Sequence, residues 1–334
     1  MKVFIKEIAY YLPERVVTNE DLVQEFPEWS VEKIADKVGV IERRIVVEET
    51  ATDLAVLAAE RLFTQNVVRK EDIDFVLFCT QSPDYKLPSS ACIIQDRLGL
   101  STKCGAFDFN LGCSGYEYGL AVAQGLIVAG VATNVLLLTG ETYSKYIHPR
   151  DKGNRTIFGD AATATVISTD GFAEIGSFVL GTDGSGAKDL IVRTRGARFP
   201  DELHDIIYDE GGNPVSSDHL FMDGQDIFVF SLMKVPKMVR DVLEKNGLQK
   251  KDVDLFVFHQ ANKYMLEHLR KKLDIDADKF FVNLSKKGNT VSSTVPIALC
   301  DAREEGKLKG NLLLAGFGVG LSWGATVLKI KDML

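Results

Sequence analysis

Residues Ala59–Phe78 read AERLFTQNVVRKEDIDFVLF, and residues Val239–Phe258 read VRDVLEKNGLQKKDVDLFVF. Set over one another at an offset of 180, Asn66/Asn246, Lys70/Lys250, Asp72/Asp252, Asp74/Asp254 and Phe78/Phe258 coincide, and nearly every apolar position matches in kind. Each window holds the end of an amphipathic helix, a polar turn, and a continuous apolar run of the kind found in strands buried on both faces. A second echo follows at an offset of 177, where Asn134-Val135-Leu136-Leu137-Leu138 matches Asn311-Leu312-Leu313-Leu314. The period is far too long for a solenoid. The chain therefore reads as two similar α/β halves, residues 1–172 and 173–334, with parallel strands and crossover helices. Ligands in such folds gather beyond the C-terminal ends of strands. That rule directs attention to the residues after Phe78, Asn110, Phe258 and Leu314.

Composition supports a folded enzyme-sized chain. Its 334 residues are 46% hydrophobic and 26% charged, which excludes disorder, collagen-like repeats and disulfide-stapled miniproteins. Acidic residues outnumber basic ones by 47 to 39, a net charge of −8, which argues against nucleic acid as the main partner. Five cysteines, at 79, 92, 104, 113 and 300, form no CxxC pair, and the N-terminus lacks a long apolar stretch. A reduced, cytoplasmic protein with free thiols is expected. Gly119 to Gly140 carries no charge over 22 residues, long enough to suggest a bilayer span. Gln124, Gly130, Thr133 and Asn134 interrupt it, so it reads as a buried small-residue helix to about Ala129 and a buried strand Val135–Leu138, with no membrane contact. No His/Cys/carboxylate group has zinc or calcium spacing, so no metal is expected.

The strand Ala106–Asn110 runs into Leu111-Gly112-Cys113-Ser114-Gly115 ahead of that helix. A cysteine in an apolar region commonly serves packing. At a strand-to-helix turn, however, the positive end of the helix dipole lowers a thiol's pKa and favours the nucleophilic thiolate. The strand Leu255–Phe258 ends in His259-Gln260-Ala261-Asn262, with a helix from about Lys263 to Leu273. His259 would leave the same sheet face as Cys113, a pairing suited to acyl transfer. Asn289, in Lys287-Gly288-Asn289-Thr290, is either a turn residue or a neutral donor to developing negative charge. Gly316-Phe317-Gly318-Val319-Gly320-Leu321-Ser322-Trp323-Gly324 fails the GxGxxG spacing, and a strand (Ala325–Ile330) follows it rather than a helix. Exposed backbone N–H groups for an oxyanion fit it better.

These elements, in this order, resemble the β-ketoacyl-ACP synthase III family of the thiolase superfamily. The similarity runs from Gly39-Val40-Ile41-Glu42-Arg43-Arg44 through Cys113, Phe158-Gly159-Asp160, Met222-x-Gly224 and HQAN to GFGxGLSWG. The resemblance implies a five-layered αβαβα fold of two pseudo-repeated halves, a homodimer, and a ping-pong Claisen condensation. Cys113 would take an acyl group from acyl-CoA, and His259 and Asn289 would stabilise the enolate formed when malonyl-acyl carrier protein loses CO2. The backbone N–H groups of Cys113 and Val319 would form the oxyanion hole. No cofactor is implied beyond the CoA and carrier-protein thioesters.

For substrate binding the resemblance implies Trp29, Lys152, Met222, Gly224, Gln225, Phe228, Ala261 and Asn262. Leu87 would reach into a partner subunit's acyl tunnel. The chain departs from the family pattern at Val319 and Ala161, where glycine is common, and at Lys152 and Tyr264, where arginine is common. Trp29 also lies further from Gly39 than usual. Carrier protein is acidic, and Lys263, Arg270, Lys271, Lys272, Lys286 and Lys287 offer a basic patch beside His259 and Asn289; a solvated helix face is the plainer reading. Three alternatives compete: a specialised condensing enzyme of secondary metabolism with another primer or acceptor, a cysteine hydrolase using Cys113 and His259, and a non-catalytic subunit.

Overall fold

The computed structural model describes residues 1–331. Its main sheet has ten strands: β1 (Phe4–Tyr11), β2 (Phe75–Cys79), β3 (Gly105–Phe109), β4 (Val135–Glu141), β5 (Ala161–Ser168), β6 (Ala173–Thr182), β7 (Leu255–Phe258), β8 (Phe280–Phe281), β9 (Asn311–Gly318) and β10 (Ser322–Ile330). Their order is β8-β7-β9-β10-β6-β1-β5-β4-β2-β3. Read outward from the middle, each half places its first, fifth, fourth, second and third strand in turn. The halves join where Phe4 and Ile5 pair with Glu174 and Ala173. β2 and β7 run parallel to both of their neighbours. The β4–β5 and β9–β10 pairs are antiparallel, so the expected parallel strands with crossover helices make up only part of the sheet. The reason is plain at β9–β10: three residues separate them, and a parallel crossover needs a dozen or more.

The repeated residues make the same clasp twice. Asn134 Nδ2 donates to the Asp72 carbonyl at 3.0 Å, and Asn311 Nδ2 donates to the Asp252 carbonyl at 3.0 Å. The Asp74 carboxylate accepts from the Thr133 and Asn134 N–H groups, and that of Asp254 from the Asn311 N–H. In each half a 3₁₀ turn, Lys70–Asp72 or Lys250–Asp252, leads into the strand. These bonds satisfy backbone groups at the strand entry, which would otherwise be costly to bury.

Alternation along the strands builds the layers. Leu77, Leu137, Leu255, Val257, Leu312 and Leu314 face a central cluster with α2 (Gly115–Val128) and α5 (Thr294–Glu304). Val76, Phe78, Leu136 and Leu138 face outward onto Leu54, Ala58 and Leu62 of α1 (Ala51–Phe63). Phe256, Phe258, Leu313 and Ala315 face the opposite outer layer, with Val235 and Val239 of α3 (Gly224–Lys245) and Leu266 and Leu269 of α4 (Lys263–Lys272). The result is a helix–sheet–helix–sheet–helix sandwich. Gly119 lets α2 lie close on β4, since a Cβ there would sit 2.6 Å from Leu137 Cδ1. One face of α2 is nonetheless open, with Val122 and Val128 exposed, so the uncharged stretch is not enclosed on all sides. Among the described residues no helix is long and apolar enough to cross a membrane.

Candidate active site

Cys113 lies between the end of β3 and Ser114, the N-cap of α2, and is only 6% exposed. A Cβ on Gly318 would fall 2.9 Å from both Cβ and Sγ of Cys113. Glycine at this point lets the β9 backbone pass directly over the nucleophile. The backbone N–H groups of Val319 and of Cys113 itself, the two expected oxyanion donors, act on the sulfur to favour its thiolate form. The expected drop in thiol pKa does not occur. Burial pushes the thiol up to about 12, outweighing both N–H donors, and buried Glu141 and Glu117 act in the same direction. The resting group is a neutral thiol.

His259 follows β7 and is 1% exposed. Its N–H donates to the Ala315 carbonyl, while Gln260 ties the loop to the Phe258 and Phe281 carbonyls and accepts from the Asn283 N–H. Burial lowers the imidazole pKa to about 3, so the ring is neutral across the physiological range. Nδ1 stands 2.7 Å from Thr294 Oγ1, whose hydroxyl also reaches the Val291 carbonyl at 3.0 Å. Asn289 Oδ1 accepts from the Val291 N–H at 2.9 Å, which fixes the amide and leaves its NH2 free to donate. Its backbone is held on both sides by Ile157 O and Gly159 N.

Cys113, His259 and Asn289 line one narrow cavity of about 60 Å³. Met222, Gly224, Ala261 and Asn262 line it too. Gln225 and Phe228 do not. Gly224, Ile227 and Ser231 share the face of α3 that borders the cavity, and Gln225, one residue on, is turned about 100° round the helix from Gly224. Gln225 is exposed at the helix start, and Phe228 packs on Tyr264 and His268. The helical period from Gly224 would have found Ile227 and Ser231. Phe317, edge-on to His259 at 5.7 Å, was within a motif already singled out. Phe158, Leu190 and Met265 complete the apolar wall.

The remaining expected contacts are scattered. Trp29 is partly buried against the core with Lys33 over its ring at 5.1 Å. Lys152 donates to Glu28 and to the Gly211 carbonyl, both at 2.8 Å. Leu87 is 82% exposed and lies outside this cavity. The basic patch is smaller than expected. Arg270 bonds Glu267 and the Ile275 carbonyl, and Lys287 pairs with Asp301, so both charges are engaged within the fold. Lys263, Lys271, Lys272 and Lys286 remain exposed. No cysteine is in a disulfide, and Cys92 is exposed rather than packed. Glu202, His204 and Asp218 do approach one another closely enough to suggest metal ligands. Arg195 already bonds Glu202, and Asp218 accepts from Thr194, Leu203 and His204; these bonds fasten a loop.

A buried thiol at a helix start, lining one cavity with a neutral imidazole and a fixed amide, defines the site of a thiolase-type condensing fold. The comparisons with known proteins narrow this further. Residues 107–184 match the family described as 3-oxoacyl-[acyl-carrier-protein] synthase III, and residues 243–330 match its C-terminal part. The β-ketoacyl-[acyl-carrier-protein] synthase III of Caldanaerobacter subterraneus subsp. tengcongensis is 39% identical, covering 96% of this chain and 95% of that one. A crystal structure of a 3-oxoacyl-(acyl-carrier-protein) synthase III superposes with a TM-score of 0.96 at 47% identity, covering 99% and 100% of the two chains. The 3-oxoacyl-(acyl-carrier protein) synthase of Burkholderia xenovorans LB400 gives 0.90 at 36% identity, over 99% and 94%. The chain belongs to the β-ketoacyl-[acyl-carrier-protein] synthase III family, and is an acyltransferase of the condensing type.

Proposed function

We propose that the chain initiates fatty-acid synthesis by condensing an acyl-CoA primer with malonyl-acyl carrier protein. Cys113 Sγ attacks the acyl carbonyl, the C–S bond to CoA breaks, and CoA leaves as a thiol carrying the cysteine proton. The malonyl C–COO⁻ bond then breaks, CO2 departs, and the electron pair forms an enolate. Asn289 Nδ2–H and His259 Nε2–H donate to the enolate oxygen. The enolate carbon attacks the acyl carbonyl, whose oxyanion sits under the Cys113 and Val319 N–H groups. Collapse expels Sγ, which takes up one proton from solvent. No prosthetic group enters the scheme.

The observation that carries this reading is the Asn289 amide. With Oδ1 held by the Val291 N–H, the NH2 is the end left to donate to a ligand in the cavity that Asn289 lines. A hydrolase would need a base to activate water, and a ring held near 3 by burial is a poor one. Exposed Lys263, Lys271, Lys272 and Lys286 support docking of an acidic carrier protein. Homodimer formation is supported by β3, an edge strand with exposed Phe107, and by exposed Leu87. The test is product analysis with malonyl-acyl carrier protein and a panel of acyl-CoAs. Equimolar CO2 and β-ketoacyl carrier protein are expected; free acid without CO2 would reject the reading.

A further inference from the structure

A second cavity, about 360 Å³, is lined by Arg15, Arg43, Arg155 and Glu25 together with Ser144 and apolar residues that include Phe158. Phe158 borders both cavities. Arg43 is the unusual member. It is 1% exposed and has no carboxylate partner among the described residues. Its terminal nitrogens donate to the Val17 carbonyl (3.1 Å), Asn19 Oδ1 (2.8 Å) and the Thr156 carbonyl (2.9 Å), all neutral acceptors. Its Nε is buried and bonds nothing. A buried charge is ordinarily paired, and an unmet buried donor costs free energy.

The neighbours do not supply the missing charge. Glu25 is already taken by both terminal nitrogens of Arg155, at 2.5 and 2.9 Å. Arg15 has no ion-pair partner among the described residues. Three guanidinium groups and one carboxylate leave a net charge of +2 on the lining. Burial and the charge of Arg155 lower Arg43 to about 10, while the charges of Glu42, Asp21 and Glu20 act in the other direction. The group stays charged at neutral pH.

We propose that this cavity is a binding site for a phosphate-class oxyanion, either free inorganic phosphate or the phosphate group of a small phosphoester. A dianion matches the net +2 lining. Guanidinium groups donate in a planar fork suited to phosphate oxygens. Arg15, which has no ion-pair partner among the described residues, is the donor available to it, and Arg43 adds an uncompensated charge from the buried wall. The site also touches the catalytic machinery. Arg43 holds the Thr156 carbonyl, and the next residues, Ile157 and Gly159, clamp the Asn289 backbone. An anion here stiffens the segment that positions Asn289. That consequence for turnover rests on the condensing reading, whereas the binding itself does not.

The test reads binding and uses the intact protein. Potassium phosphate is titrated calorimetrically in a non-phosphate buffer, with chloride holding ionic strength constant, and thermal midpoints are recorded alongside. Saturable binding at one site per chain is expected, with a midpoint rise that chloride does not reproduce. Arg15→Gln weakens the affinity by about tenfold or more, in line with loss of a charge-assisted hydrogen bond. Arg43 is left intact because its backbone bonds hold the fold. Repeating the titration with CoA or dephospho-CoA present identifies the source. Displacement by CoA alone assigns the site to its terminal phosphate, and no displacement by either assigns it to a free anion; both support the site. Absence of saturable binding beyond the chloride control overturns it, as does unchanged affinity in the Arg15→Gln, Arg155→Gln double variant.

Discussion

Thr294 Oγ1 stands 2.7 Å from His259 Nδ1, and its single hydroxyl hydrogen has two acceptors to choose from. When it goes to Nδ1, Nε2 bears the ring hydrogen and donates into the cavity. When it goes to the Val291 carbonyl, Nδ1 must donate instead and Nε2 becomes a lone pair facing substrate. Only the first arrangement stabilises an enolate, so a Thr294 hydroxyl that donates to Nδ1 favours the donor form of His259.

Thr294→Val keeps the shape and removes the hydroxyl. Decarboxylation of malonyl-acyl carrier protein is expected to fall by roughly tenfold, short of the ~10²-fold or greater loss on removing an oxyanion donor outright. Acylation of Cys113 should persist, and Thr294→Ser should restore most of the rate. CO2 release measured beside intact mass separates the two half-reactions. Equal loss in both would assign Thr294 a purely structural part.

The pH profile offers a second check. Burial holds His259 near 3, so the neutral ring persists as pH falls through the ordinary histidine value of 6.5. Single-turnover decarboxylation by pre-acylated enzyme should show no histidine-type break between pH 8 and 5. A tenfold-per-unit decline starting near 6.5 would mean that the ring titrates in the open.

Glu117 lies one helical turn beyond Cys113, fully buried, with neither carboxylate oxygen bonded. Burial raises its pKa well above the usual value of 4.5. The folded state therefore holds this proton more tightly than the unfolded chain, and stability is lost as pH rises from 4.5 toward the folded value. Glu117→Gln, nearly isosteric and uncharged, removes that penalty. Its thermal midpoint should exceed the parent's by a few degrees at pH 8, with the gap closing toward pH 4.5. A gap that stays constant with pH would show that the carboxyl's charge is not the cause.

Much of this architecture could be read from residues that recur at matching positions in the two halves. Asn134 and Asn311, with Asp72, Asp74, Asp252 and Asp254, repeat because each half uses them to close the same strand entry. Cys113, His259 and Asn289 stood out because strand ends and glycine-flanked turns place side chains predictably. What escaped depended on the third dimension. The helix dipole does not lower the Cys113 thiol, because desolvation, invisible in one dimension, outweighs a helix terminus. Arg270 and Lys287 looked free until their partners, Glu267 and Asp301, were brought to them. Thr294 carries no motif of its own, and Arg43 sits within a quoted motif whose lack of a counter-ion only packing reveals.

The central claim is that Cys113 carries the acyl group. Intact-mass spectrometry after mixing the protein with short acyl-CoAs tests it most directly. The account predicts a mass gain of one acyl group on the parent chain, reversed by malonyl-acyl carrier protein, and none on a folded Cys113→Ala variant. Acylation that survives in Cys113→Ala would contradict it.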